Sequence, residues 1–250
     1  MIRFRLIILF LLFAKSVLGD TPFELTRRKE MLLLGSAALF ASTGALIYRQ
    51  DAPQNLLYIK ENIFPLDRFA AGTYRPGIAR VSDVTFGLCL MMPLINLSHT
   101  HDVPISTQGI MLTEAMIGTT GLVLLAKGMT ERPRPFVYSA DLPPEERRNR
   151  SAYRSFFSAH AALSFCSVCF AASVFQQSNP DSKWITPIWC AGLSAASLTS
   201  VLRVMAGKHF PTDVFAGAVV GSVIGWGIPK LHENTQKSAS YRVALAIPIQ

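Results

Sequence analysis

Seven cationic, hydroxyl, imidazole and carboxylate side chains lie at the boundaries between apolar blocks and polar loops of this sequence. They are, in chain order, Lys127, Arg134, Ser158, His160, Arg203, His209 and Asp213. They fall into three groups, one at the end of the third apolar block, one at the start of the fourth, and one between the fifth and the sixth. If the blocks are antiparallel helices, the three groups meet at one end of the bundle and form a single site.

These types of side chain favour chemistry on a phosphate group. Lys127, Arg134 and Arg203 would surround one point with positive charge, and the planar guanidinium group matches the geometry of phosphate oxygens. Ser158 is suited to begin a helix, where free backbone N–H groups and the helix dipole attract an anion. Of two histidines, one can attack phosphorus while the other protonates the leaving oxygen.

Asp213 lies four residues after His209 and can hold the imidazole in the tautomer whose other nitrogen attacks. No second carboxylate and no Cys/His cluster accompanies these groups in the sequence pattern, so we expect a site without a metal ion or other cofactor. The remaining histidines (His99, His101 and His232) are interpreted as surface groups. Arg132 and Lys208 are interpreted as solvated or in contact with lipid head groups.

The three groups resemble the motifs of the type 2 phosphatidic acid phosphatase (PAP2) family, which also contains bacterial acid phosphatases and vanadium haloperoxidases. The family motifs are K-x6-RP, PSGH and SR-x5-H-x3-D. This sequence has KGMTERPRP at 127–135, FSAH at 157–160 and LRVMAGKHFPTD at 202–213. The resemblance covers roughly Gly109 to Gly225. Three motifs in the family's order at block boundaries are a far more specific signal than one motif alone.

The resemblance implies a role for each of the seven residues. His209 would be the nucleophile that forms a phosphohistidine, Asp213 would orient it, and His160 would be the general acid. The phosphoryl oxygens would be bound by the side chains of Lys127, Arg134, Ser158 and Arg203.

Three positions depart from the family pattern. Phe157 replaces a proline at the entry of a turn, and Leu202 replaces a serine. Ala159 replaces a glycine whose backbone N–H faces the phosphate, and its Cβ restricts the angle of that N–H. Because all the residues with charge or proton-transfer roles are present, we expect an intact site.

The apolar residues are concentrated in blocks, and only 16% of the chain is charged, compared with about 25% in a typical soluble domain. The sequence therefore predicts an all-α, membrane-embedded bundle of about six helices, and the resemblance implies the fold shared by PAP2 enzymes and haloperoxidases. A soluble all-α bundle is the alternative. The predicted blocks are Met31–Tyr48, Val84–Leu97, Gly109–Ala126, Ala159–Phe175, Ile185–Leu202 and Val214–Ile228.

The remaining segments carry weaker predictions. Residues 1–19 indicate a secretory signal or an uncleaved signal anchor, so that one phosphatase domain covers 20–250, with a core of about 109–228. Residues 49–81 favour a helix in the membrane interface, and residues 127–158 favour a solvated surface segment. Cys166 and Cys169 are expected to pack inside a helix bundle rather than to bind zinc. Only Tyr241–Ile249 is compatible with an extended strand.

The net charge of +8 fits a phosphorylated substrate or anionic lipid, and the apolar blocks argue against nucleic acid. The resemblance implies a metal-independent phosphatase acting on phosphomonoesters or diphosphates of membrane lipids, such as phosphatidate, phosphatidylglycerophosphate, polyprenyl diphosphate or lipid A. Two alternatives stay open: a soluble exported acid phosphatase, and a non-enzymatic membrane protein with a vestigial phosphate site. The oligomeric state is not predicted.

We expect the protein in a bacterial inner membrane with its site facing the periplasm. Six spans after residue 30 place the catalytic loops opposite Arg27–Lys29, which the positive-inside preference puts in the cytoplasm. If residues 1–19 are a working signal, residue 20 starts outside and the site faces the cytoplasm, unless one block does not cross the membrane. Val84–Leu97, with Asp83 at its edge and Pro93 inside, is the block most compatible with that arrangement.

Overall fold

Six long helices form an all-helical bundle in this computed structural model, which describes residues 21–48, 62–100 and 102–234. We label the helices α1 (Arg27–Tyr48), α2 (Pro76–Met91), α3 (Ile105–Thr130), α4 (Ala159–Ser178), α5 (Ile185–Met205) and α6 (Pro211–Leu231). Each of them, with α2 continued to His99, is long and apolar enough to cross a membrane. The predicted all-α bundle of about six helices is therefore confirmed, and the chain is a membrane protein.

The second helix corrects the prediction for Val84–Leu97. It begins eight residues earlier, at Pro76, because proline is well accommodated in the first turn of a helix. A 3-10 turn at Met92–Leu94 interrupts it around Pro93, and a short helix, Ile95–His99, completes it. The combined segment of 24 residues has the length and composition of a span. The suggestion that this block does not cross the membrane is therefore not supported.

Helix α4 lies at the centre of the bundle and packs against α2, α3, α5 and α6. Its alanine, serine and cysteine residues are small enough for neighbours to approach from every side. Cys166 packs with Met111 and Phe170, and Cys169 packs with Cys89 in a second apolar cluster. Both thiols are thus part of the packed interior, as expected.

A row of glycines on α6 brings this helix against the backbone of α4. Gly217, Gly221 and Gly225 are spaced four residues apart and therefore share one face. A Cβ atom at Gly221 would lie 2.0 Å from the Ala162 carbonyl oxygen, and one at Gly225 would lie 2.2 Å from that of Cys166. Only glycine allows this approach, which holds the first turn of α6 beside the first turn of α4.

The segment predicted to be solvated, residues 127–158, is instead a folded cap over one end of the bundle. Its own apolar cluster buries Phe136, Val137, Leu142, Ala152 and Tyr153. The charge run that suggested solvent exposure is partly used inside the cap, since Arg147 donates hydrogen bonds to the Val137 and Ser139 carbonyls. The apolar residues between the arginines form the core of this segment and were the sequence feature that indicated a folded structure.

The interfacial placement of residues 49–81 stays a prediction, and the structure describes residues 62–81 of this stretch. Residues 49–61 lie outside the described residues, and α2 already begins at Pro76. Between them, Pro65–Ala70 forms a 3-10 helix in which Asp67 is fully buried, while Leu66 and Phe69 of this helix and the preceding Phe64 are exposed. Exposed apolar side chains beside a membrane bundle are typical of interfacial segments.

The predictions for 1–19 and for Tyr241–Ile249 also lie outside the described residues. Within the described part, the one extended pairing is a single bridge between Phe23 and Glu233, which ties the chain before α1 to the end of α6.

Candidate active site

The three groups of predicted residues meet at one end of the bundle. The end of α3 and the cap supply Lys127 and Arg134, the start of α4 supplies Ser158 and His160, and the turn from α5 to α6 supplies the rest. The turn itself needs Gly207, whose φ of 73° is left-handed and whose position lies against the Thr73 carbonyl. This turn places the His209 imidazole inside the bundle end.

His209 is buried and electrically neutral in this environment. Its Nδ1 lies 2.9 Å from the carbonyl oxygen of Ser155. Because a carbonyl only accepts, Nδ1 carries the proton and Nε2 keeps its lone pair. Burial and the nearby charges of Lys127, Arg134 and Arg203 hold the pKa of His209 well below its ordinary value. The neutral ring therefore presents the free lone pair of Nε2 among three cationic side chains.

The carboxylate of Asp213 does not hydrogen-bond to the His209 ring directly, whereas the sequence predicted that it would orient the ring. Its Oδ2 is 3.8 Å from Nδ1 of His209, which is too long for a hydrogen bond. The same oxygen accepts from the Ser155 hydroxyl at 2.5 Å and from the Phe210 backbone N–H at 2.8 Å. Asp213 thus holds the hydroxyl of Ser155 and the backbone of Phe210, and the Ser155 carbonyl holds the imidazole.

Arg132 joins Asp213 to a second buried carboxylate, which corrects its interpretation as a solvated group. One terminal nitrogen lies 2.5 Å from Asp213 Oδ1 and the other lies 2.6 Å from Asp67 Oδ2. Asp67 also accepts from the backbone N–H and the hydroxyl of Thr212. The bridge fastens the segment before α2 to the start of α6 and holds Asp213 in place.

A third carboxylate, Asp83 on α2, lies between His160 and Arg203. Its Oδ1 is 2.9 Å from Nε2 of His160 and 3.1 Å from a terminal nitrogen of Arg203. The side chain of Asp83 is 58% exposed, whereas that of Arg203 is 7% exposed. The expectation that no further carboxylate joins the site is therefore wrong. Asp83 stands where an incoming anion would meet the arginine and the histidine.

Two buried guanidinium groups keep hydrogen-bond donors that no described residue satisfies. The Nε atoms of Arg134 and Arg203 are both buried and lack an acceptor in the described part of the chain. Lys127 donates to the Arg154 carbonyl at 2.7 Å, and an ammonium group carries three donors. Buried donors of this kind are costly unless a ligand accepts from them. They mark an anion-binding site.

Ser158 begins α4 as an N-cap. Its hydroxyl accepts from the Ala161 backbone N–H, and its own N–H donates to the Asp213 carbonyl. The first-turn amides of the helix, including that of Ala159, have no partner within the helix. The replacement of glycine by Ala159 thus leaves the donor in place, at the end of α4 where the dipole is positive.

The predictions of surface positions for the other histidines and for Lys208 are confirmed only in part. His99 is exposed, as expected, and His101 lies outside the described residues. His232 is fully buried, so its interpretation as a surface group is wrong. Lys208 is partly buried with its ammonium 4.8 Å from the centre of the Phe136 ring. Burial and the charge of Arg134 lower the pKa of Lys208.

Four residues of this site were not predicted from the sequence as site residues: Asp67, Asp83, Arg132 and Ser155. Asp83 carried a usable signal, because a carboxylate inside an apolar span is costly and usually functional. Asp67 and Arg132 gave no comparable signal, since charges in connecting segments are ordinary. Ser155 acts mainly through its backbone carbonyl, which any residue type provides.

The pH dependence of turnover should report the unprotonated state of His209. Since its pKa is held below the ordinary value, the acidic limb of kcat/KM for the free enzyme should lie below pH ~6.5. The measurement is a pH profile with a lipid phosphate whose own ionisation is followed by phosphorus NMR in the same micelles. A limb at or above that pH, after correction for the substrate, would contradict the assignment.

Substitution of Arg132 should disturb the site without removing a group that touches substrate. In Arg132→Gln the buried Asp67 and Asp213 lose their shared cation, and we expect kcat to fall by up to roughly a hundredfold through misplacement of Asp213 and Ser155. KM should change little. Arg28→Gln, an exposed arginine near the start of α1, is the matched control. A lower melting temperature with unchanged kcat would assign the bridge to folding alone.

The chain is similar to known proteins. The family model described as the PAP2 superfamily matches residues 108–237. A solved structure, the transmembrane PAP2-type phosphatidylglycerolphosphate phosphatase from Bacillus subtilis, is similar over 81% of this chain and 95% of its own, with 18% sequence identity and a TM-score of 0.47. No curated protein sequence matches significantly. Since the family model covers more than half of the residues, the chain belongs to the PAP2 superfamily.

Proposed function

We propose that this protein is a metal-independent phosphatase that hydrolyses phosphomonoesters or diphosphates of membrane lipids through a phosphohistidine intermediate. The observation that carries the proposal is the pair of buried, unsatisfied guanidinium donors of Arg134 and Arg203 around the neutral imidazole of His209. A terminal phosphate supplies the acceptors that these donors lack, and its phosphorus would then face a nitrogen with a free lone pair. Membership of the PAP2 superfamily agrees with this chemistry.

In the first step, Nε2 of His209 attacks phosphorus, and the bond between phosphorus and the lipid oxygen breaks. The leaving oxygen takes a proton from His160 and departs as the lipid alcohol, or as a lipid phosphate when the substrate is a diphosphate. Arg134, Arg203 and Lys127 balance the charge on the phosphoryl oxygens. The Ser155 carbonyl stabilises the proton on Nδ1 while the ring becomes cationic.

In the second step, water attacks phosphorus and the bond between nitrogen and phosphorus breaks. His160, now neutral, accepts a proton from the water. Inorganic phosphate leaves, and His209 returns to its neutral tautomer. Asp83 contacts both His160 and Arg203, so it must yield Arg203 to the substrate and can hold the His160 ring between the two steps.

A lipid substrate is favoured by the position of the site. All six long helices have the composition of membrane spans, and the site lies at the ends of four of them. A phosphate on a lipid head group is presented at this depth, and the exposed Phe64, Leu66 and Phe69 extend an apolar surface beside it. We take residues 20–250 as one phosphatase domain.

The proposed location is a bacterial inner membrane with the site facing the periplasm. Six spans place the start of α1 and the end of α6 on the side opposite the site. Arg27, Arg28 and Lys29 lie at the start of α1, which favours the cytoplasm for that side.

The experiment that tests the proposal is phosphate release by detergent-purified protein in excess EDTA. The panel contains phosphatidate, phosphatidylglycerophosphate, a polyprenyl diphosphate, a lipid A phosphate and one small soluble phosphomonoester. EDTA-resistant release with a preference for lipids is expected, together with an acid-labile phosphoprotein in rapid-quench samples. A preference for the soluble ester would indicate an acid phosphatase, and no release from any substrate would indicate a vestigial site.

Replacement of Arg203 by lysine should reduce turnover strongly although the charge is kept. A lysine offers one point charge, whereas the buried guanidinium offers a fork that can meet two phosphate oxygens. A hydrogen bond to a charged group contributes about 1.5–3 kcal/mol, so we expect kcat/KM to fall about ten- to a hundredfold. Arg28→Lys is the control. Near-normal kcat/KM in Arg203→Lys would mean that Arg203 does not contact the phosphate.

A further inference from the structure

A second cluster of ionisable side chains lies at the opposite end of the bundle from His209. It consists of Glu30 in the first turn of α1, Glu114 in α3 and His232 directly after α6. All three are buried: His232 is fully inaccessible, and the Glu114 side chain is 1% exposed. Nothing in the proposed phosphatase mechanism uses these residues.

The protonation of His232 is fixed by its surroundings. Its Nδ1 lies 2.9 Å from the Ile228 carbonyl oxygen, which only accepts, so Nδ1 carries a proton. Its Nε2 then points at two carboxylate oxygens, Glu30 Oε1 at 3.1 Å and Glu114 Oε2 at 3.4 Å. A neutral ring would present a lone pair to two acceptors, and such an arrangement is unstable without a positive centre between them.

The charges near the cluster do not supply that centre within the described part of the chain. The ammonium of Lys29 lies at the same helix end and donates to the Leu231 carbonyl at 2.7 Å, and Lys230 pairs with Glu233. Both oxygens of Glu114 and Oε2 of Glu30 receive no hydrogen bond from an amide, hydroxyl or cationic donor of the described residues, and the two carboxyl groups can satisfy each other only by sharing a proton. A single proton on Nε2 would leave most of these acceptors unsatisfied, at a large desolvation cost.

We propose that Glu30, Glu114 and His232 bind a divalent cation of the zinc class that fastens α1 to α3 and α6. Ligand atoms placed tetrahedrally at about 2.1 Å from Zn²⁺ are roughly 3.4 Å apart, which agrees with the two distances from Nε2. One imidazole with two carboxylates suits Zn²⁺ better than Mg²⁺ or Ca²⁺, which prefer oxygen ligands alone. A metal-binding histidine commonly donates its other N–H to a backbone carbonyl, as His232 does to Ile228.

The surroundings of the cluster fit a structural ion. Phe23, Met111 and Ile228 belong to a buried apolar cluster at this end of the bundle. The chain before α1 lies along the residues after α6, where the Glu24 N–H donates to the His232 carbonyl at 2.7 Å. An ion here would hold together three helices that are far apart in sequence, and its effect should be on stability rather than on turnover.

The test is zinc binding by tag-free protein that has been stripped with EDTA and desalted. Isothermal titration and elemental analysis should give one Zn²⁺ per chain for the wild type and for Glu24→Gln, an exposed acid at the same end. Glu114→Gln should bind none, and Zn²⁺ should raise the melting temperature of the wild type but not of this variant. Mg²⁺ at the same concentration should have no such effect.

Three results would overturn the proposal. The first is that the wild type binds no Zn²⁺, which would mean that the cluster holds protons only. The second is that Glu114→Gln binds as much Zn²⁺ as the wild type. The third is that Mg²⁺ raises the melting temperature as Zn²⁺ does. If Glu114→Gln does not fold, X-ray absorption of zinc-loaded wild type decides, because one imidazole with oxygen ligands is expected and any other ligand set contradicts the assignment. Phosphate release in EDTA should persist at temperatures below unfolding, which separates this proposal from the proposed function.

Discussion

Replacement of His209 by alanine is expected to abolish phosphate release from every substrate that the wild type hydrolyses. The change removes the nitrogen that would form the covalent intermediate, and no other imidazole in the described residues occupies its place beside Ser155. We expect kcat to fall at least about a thousandfold, since loss of a covalent nucleophile leaves only binding and charge stabilisation. The measurement is steady-state phosphate release, with rapid-quench samples probed for phosphohistidine.

The control for this variant is His99→Ala. His99 is exposed and lies after α2 at the other end of the bundle, so its loss should leave turnover and phosphohistidine unchanged. The His209→Ala protein should elute from gel filtration as the wild type does, because the hydrogen bonds of the buried ring go to a single residue, Ser155. If most of the activity survives in a folded His209→Ala protein, His209 is not the nucleophile.

Replacement of Gly221 by alanine should have the largest effect on the fold. The added Cβ would lie 2.0 Å from the Ala162 carbonyl oxygen and 2.8 Å from its carbon, and a backbone cannot yield as a flexible side chain can. Helices α4 and α6 must separate, at a cost of about 3 kcal/mol or more. We expect a large loss of thermal stability in detergent, and a loss of activity because His160 and His209 are carried by the two helix ends.

The matched control is Gly227→Ala, six residues further along the same helix, where an added Cβ would meet nothing within 4 Å. Alanine is favoured over glycine in a helix by about 1 kcal/mol, so this variant should be as stable as the wild type or slightly more stable. The two substitutions have the same chemistry and should differ in the sign of their effect. Equal melting temperatures would show that the α4–α6 contact is looser than the distances indicate.

The sequence predicted well which charged and polar side chains lie at the helix ends that form the site. The seven predicted residues all lie at the same bundle end because antiparallel helices return alternate turns to one side, and this follows from the order of the apolar blocks alone. The six helices were likewise predictable, because crossing a membrane requires long apolar segments. The ends of the helices were less predictable. The charged residues Arg80 and Asp83 interrupt the apolar pattern in the first turns of α2, so the predicted block began too late.

The supporting contacts of the site were less accessible from the sequence. Asp67 and Arg132 are 65 positions apart, and no periodicity relates a 3-10 segment to a loop across the bundle. The hydrogen bond that orients His209 is accepted by the backbone carbonyl of Ser155, and the identity of a side chain does not predict the role of its backbone. His232 was misjudged because a histidine after a helix end is usually exposed, and only the packing of α1 and α3 around it makes it part of a buried cluster.

The position of Asp83 bears on how a membrane phosphatase avoids inhibition by the phosphate groups of the surrounding lipids. The abundant phospholipids of a bilayer carry a phosphodiester with one negative charge, and their head groups outnumber any substrate. The Asp83 carboxylate already places one negative charge beside His160 and Arg203. A phosphodiester that displaced it would therefore gain little binding energy. A terminal phosphate brings nearly two charges and three free oxygens, which favours the exchange. Under the proposed function, we therefore expect Asp83 to disfavour ordinary membrane lipids and to favour substrates that carry a terminal phosphate.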